Sequence, residues 1–425
     1  MFYIDTLIFI FATCLVLING QEDVCYKTSD NCQNIRESTK RYLFYDINPS
    51  EGFNLRRDVY MRMAILVNKL KNSPNQMLNS FILVLPPWSH LIHWGYSESP
   101  EYIPWSTFFD IESLRKFAPV MDLYEYFTEL KHNKYTKLLI HTVYILQHFE
   151  DMFKSGRFED KWNIEKCQRP PKLRFFHYAN ITSKNIQCLS FHGPSTKLIE
   201  IFKQDESRTI MIEYAEVALH DTFGGSVYWK ARRSMRFNVK LRQIAKEFRR
   251  EFLNSTDSND NTHLPIDWRD EKPKRSAKGG PYLAIHLRRQ DFLRGRPDQV
   301  PDLKSVADQI SKKLVELNLT KVFIATDAPL SEYNELQKFL NPNHETFKYV
   351  PSIEVENEFF SGGIAIIDQI ICSYARYFMG TAESTFSFRI QEEREILGFP
   401  TKTTFNVLCK DENHCEKPSI WKIVY

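Results

Sequence analysis

The chain has 425 residues, 43% of them hydrophobic and 14% aromatic, with a formal net charge of +3. That length exceeds what one hydrophobic core usually organises, so two domains are expected, with enough apolar material to fill both. The mild charge excludes a nucleic-acid-binding role, and the basic stretch at 272–278 reads as a solvated linker.

Residues 7–18 are apolar except Thr13. The run is too short to span a bilayer and suits a signal-peptide core, although Asp5 precedes it and no Lys or Arg does. Residues 1–20 are therefore expected to be a signal peptide, with a retained signal anchor as the alternative. Of eight cysteines, Cys14 would leave with that segment. Proximity pairs Cys25 with Cys32, Cys167 with Cys188 and Cys409 with Cys415, which leaves Cys372 as a buried thiol in an apolar helical run. A zinc site is the other reading, but no Cys-x-x-Cys or clustered His pair supports one. Glycosylation sequons at Asn180, Asn254 and Asn318 agree with the secretory pathway, and together these signals predict a lumenal protein.

Residues 41–45 read as a buried strand, and Val59, Met63, Leu66, Val67 and Leu70 mark the inner face of a following helix. The loop between them, residues 46–54, then sits at the carboxyl end of a sheet, where open α/β folds bind ligands. It carries Glu51 beside Gly52, and glycine lets backbone approach a ligand closely. Arg56 and Arg57 fall in the first helical turn, where the macrodipole disfavours cations, so an anion is expected there. The plainer alternative is a simple turn with a solvated Glu51.

Further strands are predicted at 81–85, 137–147 and 208–213, with a long ordered loop at 90–119 and an irregular region at 150–190. A helix is expected over about 229–253 and a surface insertion over 254–280. Beyond that come strands at 282–287, 321–327, 347–350 and 377–380, alternating with helices at 304–317, 330–340, 363–374 and 385–397. Such alternation calls for a parallel sheet covered on both faces. The expected fold is α/β, with two Rossmann-like domains, 21–240 and 241–425, facing across a cleft.

Three segments could carry chemistry. In His286-Leu287-Arg288-Arg289-Gln290-Asp291, alternation brings His286 and Arg288 out together at a strand's carboxyl end. An arginine there can grip a phosphate in bidentate fashion, or simply pair with Asp291 to order a loop. Asp368, in an apolar helix, could accept hydrogen bonds from a base or ribose, or cap neighbouring backbone. Ser384 and Thr385 suit a helix N-terminus, an ordinary cap that can also seat an anion. There is no Walker loop, no His-Glu-x-x-His, no Gly-x-Ser-x-Gly and no Asp-x-Asp, so phosphate handling is expected to rest on Arg288 and that helix end, with no metal.

Residues 46–58, His286-Leu287-Arg288-Arg289-Gln290-Asp291-Phe292, Asp368-Gln369 and Ser384-Thr385-Phe386-Ser387-Phe388-Arg389 occur in the same order in the GDP-fucose protein O-fucosyltransferases that modify thrombospondin repeats. The chain resembles that family from about residue 41 onward. The resemblance implies a GT-B fold and an inverting, metal-independent transfer of fucose from GDP-fucose to Ser or Thr of folded thrombospondin type 1 repeats. It places the protein in the endoplasmic reticulum lumen as a monomer without a membrane span in the mature chain. By match, Glu51 would be the catalytic base, and Arg288 and Glu393 would also be needed for activity. Ser50, Glu51, Gly52, Phe53, Asn54, His286, Leu287, Arg288, Asp291, Asp368, Thr385 and Phe386 would line the donor site. No cofactor beyond the donor substrate is implied. Ser50 stands where the family's vertebrate pattern has proline.

A second class of function is a folding sensor that binds disulfide-bonded repeats with little turnover. The intact set of Glu51, Arg288 and Asp368 favours the enzyme. A dehydrogenase or epimerase lacks its Gly-x-Gly-x-x-Gly fingerprint here.

Overall fold

Apolar runs alternating with helices assemble into two sheets in the computed structural model, which describes residues 40–89, 102–130, 138–168, 181–410 and 421–425. The expected signal peptide and Cys14, Cys25, Cys32, Cys415 and Asn180 lie outside these residues. The first sheet contains β1 (Arg41–Tyr45), β2 (Phe81–Leu85), β3 (Val120–Asp122), β4 (Leu138–Gln147), β5 (Lys161–Glu165), β6 (Ile181–His192) and β7 (Thr209–Glu213). Its order is β3-β2-β1-β7-β4-β6-β5, parallel except where β5 runs against β6. The second contains β8 (Gly280–Leu287), β9 (Lys321–Thr326), β10 (Glu345–Phe347), β11 (Ala375–Gly380) and β12 (Asn406–Val407). It is parallel throughout in the order β10-β9-β8-β11-β12.

Parallel strands covered on both faces read as continuous apolar runs, and all five residues of β1 are buried. The helices that position the site are α1 (Phe53–Lys71), α2 (Ser226–Ser234), α3 (Val239–Phe252), α4 (Leu303–Leu317), α5 (Leu330–Phe339), α6 (Ile353–Ser373) and α7 (Thr385–Leu397). Val59, Met63, Leu66, Val67 and Leu70 of α1 are all buried, as their spacing predicts. In β8 the pleat sends Leu283, Ile285 and Leu287 against Val306, Ile310 and Leu314 of α4. Ala284 goes the other way, into a core that also takes in Leu43 and Tyr45 of β1. One apolar cluster thus draws on both sheets.

Several expectations change. Residues 150–190 include β5 and β6, whose polar Thr182, Ser183, Lys184 and Asn185 hide the strand from a hydropathy reading. The helix expected over 229–253 is two helices, since Asn238 starts α3 afresh by accepting from Lys240 N at 2.8 Å. The boundary expected at 240 and 241 falls in the first turn of α3. Residues 254–280 run largely over the surface, as expected, but are anchored inward at several points. Ser255, Asp260, Thr262, Trp268, Glu271 and Ala277 are buried, and Arg249 and Arg236 pair with Asp257 and Glu271. Helix α6 starts at Ile353, ten residues before the expected 363, and bends at Phe360, whose φ is 53°.

Cys167 and Cys188 form a disulfide, Cys409 is disulfide-bonded, and Cys372 is a buried free thiol. Among the described residues, no helix is long and apolar enough to cross a membrane.

Candidate active site

Loop 46–54 leaves β1 under tight backbone control. Asp46 N donates to Ile212 O at 2.9 Å, and Ala215 N donates to Asp46 O at 3.0 Å, tying the loop to the end of β7. The chain then turns so that Glu51 N reaches Asn48 O at 2.9 Å. Glu216 clamps the same turn, its Oε2 accepting from Asn48 N at 3.2 Å. Burial, with the charges of Glu51 and Asp46 adding to it, pushes the Glu216 carboxyl up to about 7.

The anion expected beside Arg56 and Arg57 has no opening there. The Arg56 guanidinium donates to the carbonyls of Glu51 (2.9 Å), Ser89 (3.0 Å) and Pro49 (3.1 Å), so it staples the loop. Arg57 is fully buried, with its guanidinium within 5.6 Å of the ring centres of Phe53, Phe109 and Phe237.

Across the cleft, β8 and β11 end side by side. Thr381 Oγ1 donates to His286 O at 2.9 Å and accepts from Arg288 N at 2.9 Å. The Ser387 hydroxyl lies 2.8 Å from His286 Nδ1 and accepts from Thr381 N at 3.1 Å. A Cβ on Gly380 would come within 2.5 Å of Ser387 Oγ, so glycine there lets α7 begin against the sheet. Burial, and secondarily the Arg288 charge, lower His286 to about 3, which keeps the imidazole neutral. Its ring stacks on Phe386 with centroids 4.3 Å apart. Arg288 is held between Asp291 (2.7 Å) and Asp327 (2.9 Å), while Arg289 turns away to Glu332 at 2.7 Å. Ser384 occupies the N-cap of α7, but its side chain makes no capping bond, so first-turn N–H groups remain available to a ligand.

Between these walls lies a cavity of about 430 Å³, a size that suits a small-molecule ligand. The end of loop 46–54 and the start of α1 contribute Ser50, Gly52, Phe53 and Asn54 to its lining. The opposite wall contributes His286, Arg288 and Asp291, then Thr385 and Phe386 from α7, while Asp368 projects from α6. Asp368 Oδ1 is buried without a hydrogen-bond partner, and burial pushes the carboxyl up to about 8, with Lys348 opposing. An orphaned acceptor in a cleft suits a ligand that brings N–H donors.

Three expected site residues lie differently. Glu51 is half-buried in the turn between Ser50 and Gly52, at the rim and outside the lining itself. Leu287 sends its side chain into the core beneath the sheet, so backbone alone is left to meet a ligand. Glu393, two turns into α7, is also outside the lining. It pairs with Arg232 of α2 at 3.1 Å, beside the fully buried Glu392.

The structure also brings in residues that the sequence reading passed over. Asp327 lies just past β9 and holds Arg288, and the rule that ligands gather at carboxyl ends of parallel strands could have found it. Arg296 and Glu383 form an ion pair and both line the cleft, beside Gln369 of the Asp368-Gln369 motif, which reaches it from α6. Nothing local in the sequence marks Arg296 or Glu216, because each meets its partner only through the fold.

The family model for GDP-fucose protein O-fucosyltransferase matches residues 42–397. GDP-fucose protein O-fucosyltransferase 2 of Caenorhabditis elegans is 40% identical over 440 residues, covering 100% of this chain and 99% of that one. The Homo sapiens protein of the same name is 43% identical over 405 residues, covering 91% of each. A crystal structure of POFUT1 in complex with GDP superposes with a TM-score of 0.54 at 15% identity, covering 87% of this chain and 99% of that chain. That likeness supports the fold, which is GT-B, with two Rossmann-like halves facing across the cleft. The match along nearly the whole chain, with the cleft the two sheets build, places this chain in the GDP-fucose protein O-fucosyltransferase family.

Proposed function

We propose that this chain transfers fucose from GDP-fucose to a Ser or Thr hydroxyl of folded thrombospondin type 1 repeats, with inversion and without a divalent metal. The observation that carries this reading is the opposition of a glutamate turn, at Glu51, to an arginine and an open helix N-terminus, at Arg288 and Thr385, across one cleft. GDP-fucose fills the cleft, with Asp368 accepting from N–H groups of the base. Arg288 and the first-turn N–H groups of α7 meet the diphosphate. Those donors stabilise the charge that builds on the β-phosphate as the sugar leaves, a role in which losing one donor typically costs about 3 to 4 kcal/mol.

Glu51 at the rim faces the side from which an acceptor approaches. It takes the hydroxyl proton as oxygen attacks the anomeric carbon opposite the departing GDP, worth roughly 10² to 10⁴ in rate. Arg288 supplies the positive charge that a metal would otherwise bring. Glu393 acts through Arg232, holding α7 and therefore the phosphate seat in place. Residence in the endoplasmic reticulum lumen is supported by the Cys167–Cys188 disulfide and by exposed sequon asparagines at Asn254 and Asn318.

The test is transfer of fucose from GDP-fucose to a purified thrombospondin type 1 repeat, folded and reduced forms side by side, in EDTA. Transfer to the folded form alone, giving a linkage of opposite anomeric configuration, is the expected result. GDP-fucose binding without transfer would replace this reading with a folding sensor or another acceptor.

A further inference from the structure

Arg57 is the least expected charge in the molecule. Its side chain is fully buried, yet its Nε and Nη2 have no hydrogen-bond partner. Burial, with Arg232 and Arg389 adding like charge, lowers its proton affinity well below that of an ordinary guanidinium. A buried charge so incompletely partnered is costly unless the contacts it does make matter. Besides the rings of Phe53, Phe109 and Phe237, it makes two hydrogen bonds. Nη1 lies 3.3 Å from the Asn54 side-chain amide and 3.2 Å from that of Gln369. The two amides also meet each other, Gln369 Nε2 lying 3.3 Å from Asn54 Oδ1.

A guanidinium has donors only, whereas a primary amide presents an acceptor at one end and donors at the other. Facing Arg57, both amides must therefore turn their oxygens inward. For Gln369 this places Nε2 towards Asn54 Oδ1. For Asn54 it leaves Nδ2, which has no protein partner among the described residues, as the end turned away from Arg57. Asn54 lines the cleft from α1, and Gln369 lines it from α6, across from the first sheet.

We propose that Arg57 is a positioning residue for the donor site: through Nη1 it fixes the orientation of the Asn54 and Gln369 amides across the cleft, so that Asn54 presents its N–H donors to the anionic, hydroxyl-rich donor. Arg57 itself touches no substrate. Without it, either amide can rotate by half a turn at little cost and offer the donor an oxygen where it needs an N–H. The inference rests on the reading of the cleft as the GDP-fucose site.

The test uses the full chain with Arg57→Met, Arg57→Lys, Asn54→Ala and the Arg57→Met/Asn54→Ala pair. GDP-fucose affinity is measured by calorimetry, with transfer kinetics and melting temperature alongside. Arg57→Met is expected to weaken GDP-fucose binding on the order of tenfold, as for a mispaired polar group, and to leave the KM for acceptor unchanged. Arg57→Lys, which keeps one cationic donor, should recover most of that loss. In the Asn54→Ala background, Arg57→Met should add no further loss of affinity, because its effect passes through Asn54. Wild-type affinity in a folded Arg57→Met protein would overturn the inference, and so would losses that add in the double variant. Where Arg57→Met lacks a melting transition, Arg57→Lys decides: affinity reduced as far as in Asn54→Ala, in a folded protein, would count against the assigned role. If the wild-type chain fails to bind GDP-fucose, the functional reading falls instead.

Discussion

On one side of the cleft, Glu216 clamps the turn that carries Glu51, burial and nearby carboxylates push the Glu216 carboxyl up to about 7, and Arg56 is spent on backbone carbonyls. On the other side, Arg288 is balanced between Asp291 and Asp327, a neutral His286 stacks on Phe386, and the first turn of α7 is open. The first arrangement suits moving a proton, since burial and like charge raise the proton affinity of the Glu216 carboxyl beside the loop. The second suits holding negative charge that appears during reaction, since its donors are already oriented. The comparison teaches that arginine count is a poor guide to an anion site. Arg56 and Arg57 flank the first wall without forming an anion seat there, while one arginine and a helix end serve the second.

The largest expected effect separates the two walls. Glu51→Ala should lower transfer by roughly 10² to 10⁴ while GDP affinity, measured by calorimetry, stays within about twofold. Loss of GDP binding in that variant would merge the two walls into one. Arg288→Ala should lower turnover by about 10² to 10³ and weaken GDP binding as well, and unchanged nucleotide affinity would remove it from the second wall.

Asp368 gives a smaller and pH-dependent signal. Its carboxyl, pushed up to about 8, is mostly protonated at pH 6.5 and must ionise to accept from two N–H groups of a base. GDP affinity should therefore rise by up to about tenfold per pH unit as pH climbs towards 8, flatten above it, and lose that slope in Asp368→Asn. A slope that survives the substitution would place the titrating group elsewhere. The smallest effect is expected at Glu393, which is partly exposed and shares Arg232 with Glu392. Glu393→Gln should cost about 1 kcal/mol in a thermal melt, with turnover falling in step as α7 loosens. A collapse of turnover at an unchanged melting temperature would mean that Glu393 meets substrate directly.

Much of this was legible in advance. The periodicity of Val59, Met63, Leu66, Val67 and Leu70 identified the buried face of α1, and the alternation along β8 placed His286 and Arg288 together. Both are local rules in which residue spacing alone decides which way a side chain points. Where polar groups achieve the burial, hydropathy patterning does not show it. The surface segment 254–280 is anchored inward by the buried Asp260 and Glu271, and β6 hides behind Thr182, Ser183 and Lys184.

The alternation of strands and helices, the Cys167–Cys188 pairing and the segments that end at the cleft follow from neighbours close along the chain, so they could be read before any packing was known. It takes the packed fold to make Arg56 staple a loop, to bring Asp327 as well as Asp291 to Arg288, and to carry Gln369 to Arg57 from 312 residues away. A charged group's role depends on which partners share its burial. Those partners are chosen by how the sheets and helices pack, so no local pattern records them.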